Sequence, residues 1–221
     1  DATFTHNNGT VTFNGAVDQN VGTSAGTQTF YDLTINNTGA DGSNDIILAD
    51  PVTVTNDITF TDGIVNTDAT HLLTLSNAAL DAVNGSAGGA SGSYVNGPVK
   101  WNMTTAIGGP YIFPTGAGST KWARLALSGL TGDSEFTVQY FNTAYADVST
   151  LDTDDQTPYP NNVSNIEYWD ITQNSGTGDA TVTLYWEDSD ASGIDECANP
   201  ATDLMIVHFT SGEWRTVNPS T

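Results

Sequence analysis

The densest run of potential ligand oxygens in this chain is Glu187-Asp188-Ser189-Asp190-Ala191-Ser192-Gly193-Ile194-Asp195-Glu196. Asp188, Asp190 and Ser192 occupy alternate positions, Gly193 follows at once, and Asp195 lies just beyond. Alternate oxygens converging on a hard cation, with a glycine permitting the sharp turn, form the first half of a calcium loop. The candidate metal set is therefore Asp188, Asp190, Ser192 and Asp195, with Ca2+ as the ion. The twelfth position of such a loop is Asn199 here, which cannot act as the usual bidentate Glu. A solvated acidic turn after a strand accounts for the same residues more simply and is the preferred reading.

A second acidic group, Asp147, Asp152, Asp154 and Asp155, runs into Thr157-Pro158-Tyr159-Pro160. Clustered carboxylates repel one another, and either a cation or solvent and salt relieves that cost. Solvent and salt are the expected answer. The histidines His6, His71 and His208 are far apart and match no zinc spacing, and His208 reads as a packed sheet residue in an apolar strand. Cys197 is the single cysteine, so no internal disulfide can form, and it reads as an inert thiol. Nucleophile and phosphate-loop motifs are missing. Trp101, Tyr111 and Trp122 lie near Gly- and Pro-rich loops, where they can offer a sugar-stacking platform; aromatics in strand-like runs more often build a core.

Charge restricts the partners. The chain has 26 acidic residues against 4 basic ones, a formal net charge of -22. Such a surface repels phosphate backbones and anionic lipid, so nucleic-acid and membrane-surface binding are not expected, and no apolar run approaches the length of a membrane span, so membrane insertion is not expected either. A lyase acting on acidic sugars would need cations near its substrate, and only Lys100, Lys121, Arg124 and Arg215 are present. A glycosidase needs just two suitably spaced carboxylates, which the sequence leaves open. The chain opens at Asp1 with neither a start Met nor a signal-like segment, which reads as a processed precursor or a fragment.

The elements that position these residues are strands. Thr favours strands, Gly, Asn and Asp favour turns, and no long stretch has helical periodicity. Val11-Thr12-Phe13-Asn14, Leu33-Thr34-Ile35-Asn36-Asn37, Val52-Thr53-Val54-Thr55-Asn56 and Leu73-Thr74-Leu75-Ser76-Asn77 share one apolar-Thr-apolar pattern. A recurrence near twenty residues predicts a short parallel β-solenoid over 1–93, with Asn37, Asn56 and Asn77 at one corner as an amide ladder. A β-sandwich of evenly spaced hairpins competes with it. Residues 84–93 read as a connector or broad loop. From 94 to 221 aromatics thicken. Runs at 122–127, 135–141, 166–172, 181–186 and 204–209, separated by turn signals, predict an antiparallel β-sandwich. The fold expectation is all-β, solenoid first and sandwich second.

Thr5 to Gly15, Thr29 to Asn37, Ser93-Tyr94-Val95-Asn96-Gly97-Pro98-Val99 and Tyr111-Ile112-Phe113-Pro114-Thr115-Gly116 resemble modules of large Bacteroidota surface proteins exported by the type IX secretion system. Ile166 to Trp169, Thr181 to Trp186 and Leu204 to Phe209 continue the resemblance in matching order. It implies a secreted, adhesin-like protein at the cell surface and supplies no catalytic residues. The functional expectation is a non-enzymatic structural or adhesive module, assembling end to end with neighbouring modules or copies of the same chain into a filament or stalk. A carbohydrate-binding module, stabilised by calcium and recognising a surface glycan, is the alternative.

Overall fold

A computed structural model describes residues 5–22, 26–83, 87–152, 160–186 and 204–217. The chain is all-β, with a parallel β-solenoid of about four turns followed by antiparallel sheets. Three strands build the first coil: β1 (Thr10–Phe13), β2 (Gln19–Val21) and β3 (Gln28–Phe30). The second coil repeats them as β4 (Asp32–Asn36), β5 (Ile46–Leu48) and β6 (Val52–Val54). The third uses β7 (Ile58–Asp62), β8 (Val65–Asn66) and β9 (Leu73–Leu75), and the fourth ends in β10 (Val95–Asn96) and β11 (Val99–Met103).

Each strand pairs in parallel with its counterpart one coil away, which makes three faces. On the first face Val11, Leu33, Ile58 and Val83 succeed one another at intervals of 22, 25 and 25 residues. On the third, Gln28, Val52, Leu73 and Val99 follow at 24, 21 and 26. The Thr of each apolar-Thr-apolar triplet points away from the core while its two neighbours point in, as a two-residue period requires. Ile35, Ile58, Leu73 and Val99 are completely buried. Each such side chain contributes about 1.5–3 kcal/mol by leaving water.

The alignment of the repeats differs from the expected one. Leu33 stacks on Ile58, whereas Val52 stacks on Leu73 on a different face of the solenoid. The interval of 19 residues from Leu33 to Val52 is thus a step around one coil, not from one coil to the next. Asn37 consequently leaves the expected ladder: it is buried at another corner and donates to the Val17 carbonyl at 2.6 Å. Asn77 does sit over Asn56, donating to its carbonyl at 3.1 Å, and Asn56 donates to the Asp32 carboxylate at 2.8 Å. A side-chain ladder runs on the second face, where Asn66 donates to Asp45 at 2.8 Å and Asn96 to Asn66 at 2.7 Å.

A bend at Gly63 follows β7. Gly63 has φ +97°, and a Cβ there would lie 2.7 Å from the Asn44 carbonyl oxygen, so glycine is required.

The sheets continue past residue 93. β10 pairs with β8 before it and β13 (Thr115–Ala117) after it, and β11 pairs with β9 on one side and antiparallel β16 (Ser134–Phe141) on the other. The short β14 (Lys121–Trp122) closes the second face, and β17 (Tyr168–Ser175) extends the third beyond β16. A separate antiparallel sheet is formed by β12 (Tyr111–Phe113), β15 (Leu125–Ser128) and β18 (Thr181–Leu184). Tyr111, Phe113, Leu125 and Leu127 belong to the same buried cluster as the solenoid residues.

Two compact units result, one of residues 1–140 and 169–185, the other of 141–168 and 186–221. In the second unit β19 (Val207–Thr210) and β20 (Glu213–Thr216) form a hairpin. Its turn is Ser211-Gly212, both at positive φ. Leu151 bridges in parallel to Trp214, and Tyr145 packs against Tyr168, Phe209 and Trp214 at ring distances of 4.9–5.3 Å.

Candidate functional site

The expected cation loop, Asp188, Asp190, Ser192 and Asp195, lies outside the described residues, as do Cys197, Asp154 and Asp155. The other half of the second acidic group is within reach, and its two carboxylates serve different partners. Asp147 closes its own turn: it accepts from the hydroxyl of Thr150 at 2.6 Å and from the amides of Ser149 and Thr150 at 2.9 and 3.0 Å. The Thr150 hydroxyl, then those amides, pull its carboxyl down to about 2. Asp152 is buried and faces the Arg215 guanidinium at 3.5 Å, and Arg215 also pairs with Glu213. Asp152 and Arg215 therefore tie the 147–152 segment to the hairpin, a structural task.

Other carboxylates are likewise absorbed locally. Asp68 holds a turn by accepting from Thr70 and His71, and these bonds, the Thr70 hydroxyl first, lower its pKa well below the usual range. Asp133 accepts from the amide and hydroxyl of Thr105 and the hydroxyl of Thr104, and its pKa falls for that reason. It borders an open depression of about 280 Å³ with Asn102, Met103, Ser134, Glu135 and Ser175. Glu135 is drawn to Lys100 at 3.4 Å, so the two acids of this depression do not converge on a common point. Asp57 is the exception in sign: partial burial, then the charges of Asp32 and Asp81, raise its pKa. Among the described residues no group of three or more His, Cys, Asp or Glu is arranged to hold a metal ion.

Of the two readings of these aromatics, the core one holds for two of the three. Trp101 and Tyr111 have no exposed surface. Their rings meet edge to face at 5.3 Å, and Trp101 meets Phe113 at 5.5 Å. The Trp101 indole donates to the Asn77 carbonyl at 2.7 Å, while the Tyr111 hydroxyl donates to the Thr104 carbonyl at 3.1 Å. Both are core residues, placed where the solenoid meets the antiparallel sheet. Only Trp122 of the three keeps some exposure. Its indole donates to the Gly88 carbonyl at 3.0 Å, and the Arg124 guanidinium lies 4.1 Å above its ring and 4.7 Å from that of Tyr185. This aromatic-cation-aromatic stack fixes Arg124 against the sheet. No local sequence signal announces it, because its members lie 63 residues apart at the extremes. Trp186 is 54% exposed. His208, read as a packed residue, is exposed on β19, opposite Arg215.

Fold and side chains together define a class: a three-faced parallel β-solenoid whose last coil is joined by antiparallel strands, with Asp68, Asp133 and Asp147 engaged in turns and Trp101, Tyr111 and Phe113 in the core. No family model matches the chain, and neither a curated protein nor a solved structure matches it.

Proposed function

We propose that the chain is a non-enzymatic structural module of a secreted bacterial surface protein, working as a stiff spacer that joins neighbouring modules or copies into a stalk. The observation that carries this reading is the buried stack running from Val21 in the first coil to Val138 in β16, through every coil between. A ladder of backbone hydrogen bonds on three faces, with a continuous apolar filling, resists bending more than separate small cores joined by linkers would. The acidic surface keeps such a module soluble outside the cell. Pulling tests it directly. Held between helical handle domains, the chain is expected to unfold at a force above theirs; extension below that force would sink the spacer reading.

The exposed Trp186 favours a second reading, a carbohydrate-binding module with calcium in the 187–196 loop. Glycan binding lost in Trp186→Ala, and a thermal midpoint raised by millimolar Ca2+ and insensitive to it in Asp188→Ala/Asp190→Ala, would support that alternative. A midpoint unchanged by calcium leaves Asp188, Asp190, Ser192 and Asp195 as a solvated turn.

A further inference from the structure

An open depression of about 280 Å³ lies where three neighbouring strands of one sheet meet, at the end of β11, the start of β16 and the end of β17. Its polar lining is short of partners inside the protein. Asn102 stands directly opposite Glu135 across β11 and β16, yet its Oδ1 is covered and has no hydrogen-bond partner among the described residues. Lys100 approaches Glu135 at Oε1, 3.4 Å away, and Oε2 stays available. The three bonds that Asp133 accepts all end on Oδ1, so its Oδ2 stays available too. Ser175 is exposed beside them, and Met103 is the apolar member of the lining.

These acceptors do not suit a metal ion. Such an ion gathers its oxygens on one point, whereas Asp133 is held toward Thr104 and Thr105 and Glu135 toward Lys100. Nor do they suit an anion, which two carboxylates on a chain of net charge -22 repel. Lys100 offsets one of the two charges and the bonds from Thr104 and Thr105 satisfy the other, so a neutral ligand leaves no bare charge beneath it. What the oxygens share is a need for donors, and a covered amide oxygen left without one costs free energy. A ligand with several hydroxyl groups supplies donors at several points at once. Carboxylates and amides are flat, with two polar atoms side by side, and that shape receives a pair of adjacent ring hydroxyls.

We infer that this depression binds one ring of a neutral hexose at the end of a glycan. Asp133, Glu135, Asn102 and Ser175 take its hydroxyls, and Met103 lies against its carbons. Ligand sites start at about 300 Å³, so a depression of this size admits a single ring rather than a longer segment. The inference rests on the second, carbohydrate-binding reading for its class of ligand, but gives that ligand residues other than Trp186 and no part for calcium.

Amide shifts of the isotope-labelled whole chain, titrated with glucose, galactose and mannose to about 50 mM, test this over a range that reports millimolar affinities. At least one hexose is expected to shift the signals of residues 102–105, 132–135 and 173–176, saturating with a Kd on the order of 1–10 mM. Glu135→Gln and Asn102→Ala are each expected to weaken binding by about tenfold, with a thermal midpoint within about 2 °C of the parent. Asn102→Ala removes an oxygen that has no internal partner, so it folds even if Glu135→Gln, which releases Lys100, does not. Glucuronate, which adds a carboxylate to the same ring, is expected to bind at least about tenfold more weakly. Trp186→Ala is expected to leave the shifts unchanged. No shift at these residues with any of the three hexoses overturns the inference, as does equal binding of glucuronate or the same shifts with Na+ or Ca2+ alone. Binding that survives Asn102→Ala and Glu135→Gln but is lost in Trp186→Ala overturns it too, and leaves the carbohydrate-binding reading standing.

Discussion

Removing the indole N–H of Trp101 while keeping an aromatic ring tests whether the solenoid and the antiparallel sheet share one core. Trp101 is fully buried and paired on both strand edges, in parallel with Leu75 on β9 and antiparallel with Phe136 on β16. Trp101→Phe deletes the bond to the Asn77 carbonyl and leaves that acceptor without its donor, a loss of about 1–3 kcal/mol. The smaller ring also leaves space among Tyr111 and Phe113, which adds about 1 kcal/mol. The expected cost is about 2–4 kcal/mol. Trp101→Ala also discards the two edge-to-face contacts and is expected to cost about 5 kcal/mol. Urea unfolding followed by far-ultraviolet circular dichroism measures both. Trp122→Phe is the control: it loses one bond, to Gly88, from a partly exposed ring, and is expected to cost about 1 kcal/mol. If Trp101→Phe stays within about 0.5 kcal/mol of the parent, below what any such bond is worth, the shared-core argument fails.

Three further outcomes follow from the same geometry. Gly97, between β10 and β11, has φ +129° and a Cβ position 2.3 Å from the Thr67 carbonyl, so Gly97→Ala is expected to lower stability by about 2 kcal/mol or more in urea unfolding. Asp147 is held in its charged form, so its contribution is present above its ordinary pKa of 3.8 and is lost as pH falls toward about 2; Asp147→Asn is expected to flatten the thermal midpoint between pH 4 and pH 2, and an unchanged acid limb would refute this. Asp57 has the opposite sign: its raised pKa means the folded state takes up a proton more readily, so stability falls as pH rises through that pKa. Asp57→Asn is expected to raise the midpoint slightly at neutral pH and low salt, an effect that shrinks in 1 M NaCl.

Much of the secondary structure was legible in the chain, and the stacking order was not. The triplets at Val11, Leu33, Val52 and Leu73 all became inward-facing strands, because apolar-Thr-apolar alternation reports one buried face whatever lies beside it. Two faces of the same coil carry that alternation, so its recurrence cannot distinguish a step around a coil from a step between coils. Pairing resolves it, since Leu33 must lie beside Ile58 for Ile35 to be sealed between Phe13 and Phe60. The runs at 135–141 and 181–186 likewise appear as β16 and β18, yet β16 joins a solenoid sheet rather than a sheet of its own.

The aromatics carry the same lesson about sites. Trp101 and Tyr111 lie close in sequence to glycine and proline, which left a platform open beside the preferred core reading, but nearness to a loop along the chain says nothing about depth. The coils are filled mostly by Val, Ile and Leu, with Phe30 and Phe60 among them, and Trp101, Tyr111 and Phe113 join that cluster where antiparallel strands are added. Trp101, Tyr111 and Phe113 have no exposed surface, and the Trp101 indole and Tyr111 hydroxyl reach backbone partners that leave them satisfied. Part of the rise in aromatic content after residue 94 therefore marks where antiparallel strands join this core. Side chains able to meet a ligand must be sought among the exposed ones, and among the described residues Trp186, at 54% exposure, is the largest such apolar side chain.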